Sequence, residues 1–210
     1  MQTPESELWQ DTETIVTAVG DGSPPLFLET DTYRVSRLEI REIPTLTYVL
    51  STSIDYIGVI RIPECRSRFD LASETLLSSG AVERLGPDTA MFYYPTAGEQ
   101  SKFLYEYGFA CRPDTDPELV ARALPASIAK GLVRVKTVRG CRCASVVFVG
   151  SPSDIGHGRR ALQRQLMTAD LSTTGTHARE IYHHLPDPES PNCITELMFV
   201  VLPSHNGAGG

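Results

Sequence analysis

The sequence predicts an α+β fold built from two tandem strand-helix-strand-strand modules. Two observations predict it. First, β-type runs and one amphipathic helical stripe occur twice in the same order along the 210 residues. Second, the final strand of each half carries an acid at the same place: Glu106 lies seven residues before Pro113, Glu196 lies seven before Pro203, and Phe109 and Phe199 match in that register.

The elements follow in order. Residues 1–33 read as an N-terminal extension, because GDGSPP breaks regular structure. Module one, 34–113, opens with YRVSRLEIREIPTLTYVLSTS, a strand interrupted at Pro44. A helix follows: Pro63 suits its first turn, Cys65, Phe69, Ala72 and Leu76 recur at helical spacing, and Gly80 supplies a left-handed stop. TAMFYYP and SKFLYEYGFACRP are strands. A linker helix, 114–131, starts at Asp116 and Pro117 and stops at Gly131. Module two, 132–203, repeats the order. LVRVKTVRGCRCASVVFVG is a strand broken at Gly140. In the next helix Ser151 is the N-cap, Pro152 stands at the first position, and Ile155, Leu162 and Leu166 form the stripe. HAREIYHHLPDP and NCITELMFVVLP close the unit, and 204–210 is a flexible tail.

Composition narrows the function classes. With 41% hydrophobic and 21% charged residues the chain is an ordinary globular protein. A net charge of −7 argues against direct binding to a nucleic acid backbone. No apolar run approaches the roughly 20 residues that span a bilayer, and the acidic start MQTPESELWQDTE lacks a signal peptide's apolar core; a cytoplasmic location is expected. Five cysteines form no disulfide framework. Cys141 and Cys143 alternate along one strand and face the same way, but without further ligand spacing they read as buried thiols, and no metal or other cofactor is expected.

The repeated acids are the candidate site. Strand alternation puts Glu196 on a face with Ile194, Met198 and Val200, and Glu106 with Leu104, Gly108 and Ala110. Phe103, Tyr105, Tyr107 and Phe109 lie opposite Glu106 and suit packing, whereas a face of Leu, Gly and Ala suits a cavity wall. The plainer reading of Glu196 is a structural pair with an arginine, Arg179 or Arg142.

The segments LEIREIP, TYVLSTS, VKTVRGCRCASVVFVGSPSDIG, EIYHHLPDP and ITELMFVVLP resemble the GyrI-like small-molecule-binding family, the effector-binding domain of multidrug-responsive bacterial regulators. The likeness runs from about Val35 to Pro203 and is better in the second half. It implies modules related by a pseudo-twofold and a curved antiparallel sheet around a central ligand cavity. It also implies that Glu196 is the cavity carboxylate attracting lipophilic cations, with Tyr182 as its aromatic partner. Glu106, Tyr93 and Tyr94 are the first module's counterparts. Met198, His184 and Phe148 complete the expected lining. The chain departs from the family pattern in its first module, which has STSIDYIGVIRI after the opening strand, and it carries no helix-turn-helix.

The expected function is binding or sequestration of lipophilic or cationic aromatic small molecules. An alternative follows from stand-alone family members that resemble hydrolases opening strained cyclopropane rings of DNA-alkylating natural products. There Glu196 would orient a water as general base and Tyr182 would hydrogen-bond to the developing negative charge. Tyr93, Tyr94, Phe92 or Phe148 would have to replace the tryptophans expected in such enzymes. The EIR element at Glu39 to Arg41 also resembles haem-binding proteins of a related duplicated fold. A protein partner is a further option, with no surface that identifies one.

Overall fold

The computed structural model describes residues 26–56, 62–94, 102–126, 133–186 and 190–202. Along the chain the elements are β1 (Leu26–Glu29), β2 (Tyr33–Ser36), β3 (Glu39–Ile43), β4 (Leu46–Tyr56), α1 (Ile62–Ser78), β5 (Arg84–Tyr93), β6 (Lys102–Cys111), α2 (Pro117–Ala123), β7 (Val133–Val138), β8 (Cys141–Gly150), a 3₁₀ turn (Pro152–Asp154), α3 (Ile155–Thr168), β9 (Thr173–His184) and β10 (Ile194–Val201). This is the expected α+β class with antiparallel pairing. Two compact units divide it: one holds the chain up to Ile43 and from Cys141 onward, the other Pro44–Gly140.

These boundaries correct the modules expected at 34–113 and 132–203. The two breaks are where the chain changes unit. β3, just before Pro44, pairs with β8, and β7, just before Gly140, pairs with β4. Proline has no N–H for a ladder, and the Gly140 N–H leaves the ladder to donate to Thr45 Oγ1 at 3.0 Å. The extension is also shorter than expected, since β1 is already paired with β2.

In the second unit the strand order is β5-β6-β4-β7. Helix α1 covers one face of it with the expected stripe, Cys65, Phe69, Ala72 and Leu76, all buried. Phe69 meets Tyr107 and Phe109 edge-on at 5.6 and 5.5 Å. At the end of α1, Gly80 has φ 70° and Ala81 N–H donates to the Leu76 carbonyl at 3.1 Å, the predicted left-handed stop. The side chain of Asp116 caps α2 by accepting from Glu118 N–H at 2.8 Å. That helix ends at Ala123 rather than near Gly131, because Pro125 forces Leu124 into extended backbone; residues 127–132 lie outside the described set.

In the first unit the order is β1-β2-β8-β10-β9, with β3 also on β8. Ser151 caps the 3₁₀ turn, and Ile155, Leu162 and Leu166 of α3 pack on Val146, Phe148 and Leu197. Gly158 permits this close seating: a Cβ there would stand 2.7 Å from Leu197 and Phe148. Gln165 anchors the irregular passage between β2 and β3, accepting from Leu38 N–H at 2.8 Å and donating to the Ser36 carbonyl at 3.0 Å.

Candidate functional site

Cross-strand register decides which side chains share the face turned away from α3. Glu196 stands opposite Val147 of β8 and Ile181 of β9, Met198 stands opposite Arg179, and Arg41 of β3 stands opposite Cys143. Alternation then gathers Arg41, Ile43, Cys143, Arg179, Ile181, Glu196 and Met198 on one side. Ile43, Cys143, Ile181 and Met198 form its apolar part, flanked by Cys141 and Val200.

Glu196 is 1% exposed. Its Oε1 accepts from Arg41 Nη1 at 2.8 Å, and its Oε2 lies 3.2 Å from His183 Nε2. Burial pushes the carboxyl up, but the His183 hydrogen bond and the Arg41 charge outweigh it and hold the group below the ordinary carboxylate range. The carboxylate is therefore already neutralised by the chain, which corrects the expectation of an unpaired charge. The arginine concerned is neither of the two foreseen: Arg142 lies 3.8 Å from Glu42, and the Nε and Nη2 of Arg179 have no hydrogen-bond partner among the described residues. His183 reaches the acid because it is the extra residue of a bulge, where Ile194 pairs with His184 and Thr195 with Tyr182. Its Nδ1 is buried with no partner among the described residues.

Two thiols complete this face. Cys141 and Cys143 have their sulfurs 3.6 Å apart. The hydrogen bond from Cys143, supported by the Arg179 charge against the cost of burial, pushes Cys141 down; the same contact and burial push Cys143 up. Among the described residues no three His, Cys, Asp or Glu groups converge as a metal site.

The second unit repeats the cluster with different chemistry. Glu106 is fully buried, its Oε1 accepting from Arg134 Nη2 and its Oε2 from Lys136 Nζ, both at 2.7 Å. Lys136 also reaches the Tyr93 hydroxyl at 3.4 Å and lies over its ring at 4.8 Å. Burial raises Glu106, but the Lys136 and Arg134 hydrogen bonds outweigh it and the carboxyl stays below its ordinary range. Register makes the equivalences explicit. Counting from each acid, Lys136 of β7 falls where Arg41 of β3 does, Arg134 where Glu39 does, Thr89 where Arg179 does, and Tyr93 where His184 does, so that the bulge residue His183 has no counterpart in β5.

The residues foreseen as one site are thus distributed. Glu196 and Met198 share a face; so do Glu106 and Tyr93 in the other unit. Tyr182 lies on the α3 side, its hydroxyl donating to Glu180 Oε2 at 2.7 Å, with Glu180 also gripped by Arg159. Phe148 packs beneath α3, Tyr94 stacks on Phe92 at 6.3 Å, and His184 is exposed. Tyr182 and Glu196 consequently do not meet at one substrate, because Glu196 pairs with Ile181 and the adjacent tyrosine points the opposite way. Gly108, on the Glu106 face, serves a close backbone approach, since a Cβ there would stand 1.9 Å from the Val49 carbonyl oxygen. The sequence reading offered Arg179 only as a counter-ion of Glu196 and placed neither Arg41 nor His183 beside the acid. The one available signal was the cationic residue in each exchanged strand, Arg41 in EIREI and Lys136 in VRVKTV.

No family model and no curated protein matches the chain. Solved structures do. The EcmrR C-terminal domain is 12% identical with a TM-score of 0.59, covering 79% of this chain and 97% of that one. SAV2435 bound to tetraphenylphosphonium is 13% identical with a TM-score of 0.53, covering 79% and 94%. A hydrolase from Listeria innocua is 15% identical with a TM-score of 0.56, covering 79% and 92%. The fold is shared with these proteins. At such identities the likeness extends to the fold alone, and it agrees with the architecture that the GyrI-like resemblance implies. No described helix is long and apolar enough to cross a membrane.

Proposed function

We propose that this chain is a GyrI-like small-molecule binder whose ligand sits against the Glu196 face of the first unit. One observation carries the reading: polar groups buried on that face remain unsatisfied. His183 Nδ1 and two nitrogens of Arg179 lack partners among the described residues, beside an apolar strip of Ile43, Ile181 and Met198. A buried unsatisfied donor costs about 1–3 kcal/mol, more when charged, and a protein keeps such groups where an incoming molecule completes them. The shared fold supports the reading, since SAV2435 with this fold holds tetraphenylphosphonium, a lipophilic cation.

The ring-opening alternative loses the Tyr182 and Glu196 pair on which it depended and keeps only the fold shared with a hydrolase from Listeria innocua. The test is calorimetric titration of the whole chain with a panel of neutral two-ring aromatic compounds. Saturable one-to-one binding is expected, weakened severalfold by Met198→Ala and unaffected by Tyr182→Phe on the opposite face. Absence of binding across the panel, or equal sensitivity to both substitutions, would remove this assignment.

A further inference from the structure

The anomaly with most physical content is Arg179. It is 2% exposed, and arginine is almost never so buried without a counter-ion. Glu196 is the nearest obvious candidate on its face, yet both carboxylate oxygens are taken, one by Arg41 and one by His183. Glu180, adjacent in sequence, points to the α3 side and is held by Arg159 and Tyr182. The thiols of Cys141 and Cys143 feel the Arg179 charge but form no hydrogen bond with its free nitrogens. One buried carboxylate therefore shares its face of the sheet with two guanidinium groups.

Which nitrogens are free matters. In a guanidinium the Nε–H and the outer Nη2–H point in parallel along one edge, the edge that grips a planar carboxylate with two hydrogen bonds. Those are the two atoms of Arg179 without partners. A guanidinium cannot relieve its position by losing a proton, as a buried lysine can. Only an acceptor brought to that edge satisfies it, and a planar oxyanion does so while also supplying the missing charge.

We infer that the first unit's site takes an aromatic or aliphatic carboxylate, its two oxygens on the Nε and Nη2 edge of Arg179 and its apolar body along Ile181 and Met198. The inference rests on the binding assignment above and sharpens it: with Glu196 already neutralised, the face selects anions rather than lipophilic cations. Thr89 occupies the equivalent position in the second unit, so the preference belongs to the first unit alone.

The experiment compares three probes of one shape, 2-naphthoate, 2-naphthamide and 2-naphthyl-trimethylammonium, by calorimetric titration of the full chain. The carboxylate is expected to bind at least tenfold more tightly than the amide, and the cation more weakly than either. Arg179→Lys keeps the charge but removes the parallel edge and should reduce the carboxylate preference severalfold; Arg179→Met should abolish it. Because Arg179 is an uncompensated buried charge, Arg179→Met should also melt at the parent's temperature or above it. A structural arginine would give a lower melting temperature, and that result overturns the inference. So does a carboxylate preference that survives both substitutions, or an amide or cation that binds as well as the carboxylate while binding itself stands. If none of the three probes binds, the underlying binding assignment fails and takes the inference with it.

Discussion

Two buried glutamates occupy equivalent positions in the two units, and their surroundings differ in completeness. Around Glu106 both oxygens are held by cations at 2.7 Å, and Arg134 and Lys136 leave nothing charged and buried without a partner on that face among the described residues. Around Glu196 the oxygens are also filled, but Arg179 keeps two free donors and the His183 Nδ1 has no partner among the described residues. Duplicated architecture placed an acid twice; substitution at the flanking positions made one cluster a closed structural network and left the other open. An ion cluster is evidence of a ligand site only when its accounts of donors and acceptors fail to close.

The largest effect separates the two clusters by redundancy. Among the described residues Arg41 is the one arginine bonded to Glu196 and His183 its other partner, so Arg41→Met should cost about 3 kcal/mol in urea unfolding. Lys136→Met leaves Arg134 bonded to Glu106 and should cost about 1 kcal/mol. Equal losses would mean that the two networks are equally redundant, contrary to their geometry.

Acid titration probes both carboxylates. Each is held below its ordinary value of 4.5 in the folded chain, despite burial, by its cationic and hydrogen-bonding partners. A depressed folded value contributes stability above the unfolded value, and that contribution disappears as pH falls through the folded one. Glu196→Gln and Glu106→Gln should therefore be less stable than the parent at neutral pH, with the deficit shrinking as the solution is acidified below about pH 4.5. A deficit independent of pH would show that the acid concerned is not ionised in the folded protein.

A smaller contrast lies in the thiols, since the positions of Cys141 and Cys143 are held by Leu46 and Tyr48 in the second unit. Cys141 is pushed toward its thiolate and is partly exposed, whereas Cys143 is pushed away from it and is buried. Limiting iodoacetamide at neutral pH, followed by peptide mass mapping, should label Cys141 several times faster than Cys143. Arg179→Met should slow the labelling of Cys141. Preferential labelling of Cys143 would reverse the assignment.

Much of this fold is legible in the sequence because its signals are local. The stripes Cys65-Phe69-Ala72-Leu76 and Ile155-Leu162-Leu166 mark the two longer helices, Gly80 and Ser151 mark ends, and Pro44 and Gly140 mark the breaks. What pairs with what is not local. Arg41 meets Glu196 across 155 positions of sequence, and nothing in EIREI states that β3 belongs with β8. The bulge in β9 is equally silent: without it, adjacency of Tyr182 to the acid looks natural, yet the cross-strand partner is Ile181 and the bonded ring is His183. Side-chain facing depends on register to a single residue, so the repeated position of the acid was readable and its neighbours were not.

The smallest effects concern how each unit ends its helix. Gly80 after α1 and Asp170 after α3 are equivalent stops. Their φ angles are 70° and 52°, and the next residue donates back to Leu76 and Leu166 at 3.1 and 3.0 Å. At Gly80 a Cβ would touch nothing within 4 Å, so Gly80→Ala carries only the backbone penalty of the left-handed region, about 1 kcal/mol. Asp170 already bears part of that penalty, and Asp170→Gly should stabilise by about 0.5 kcal/mol, the extra freedom of the unfolded glycine offsetting part of the relief. Opposite signs are the content of the comparison, and thermal unfolding of the two variants reads them directly. If Asp170→Gly destabilises the chain, the aspartate contributes something beyond its backbone, and the two helix ends are not equivalent.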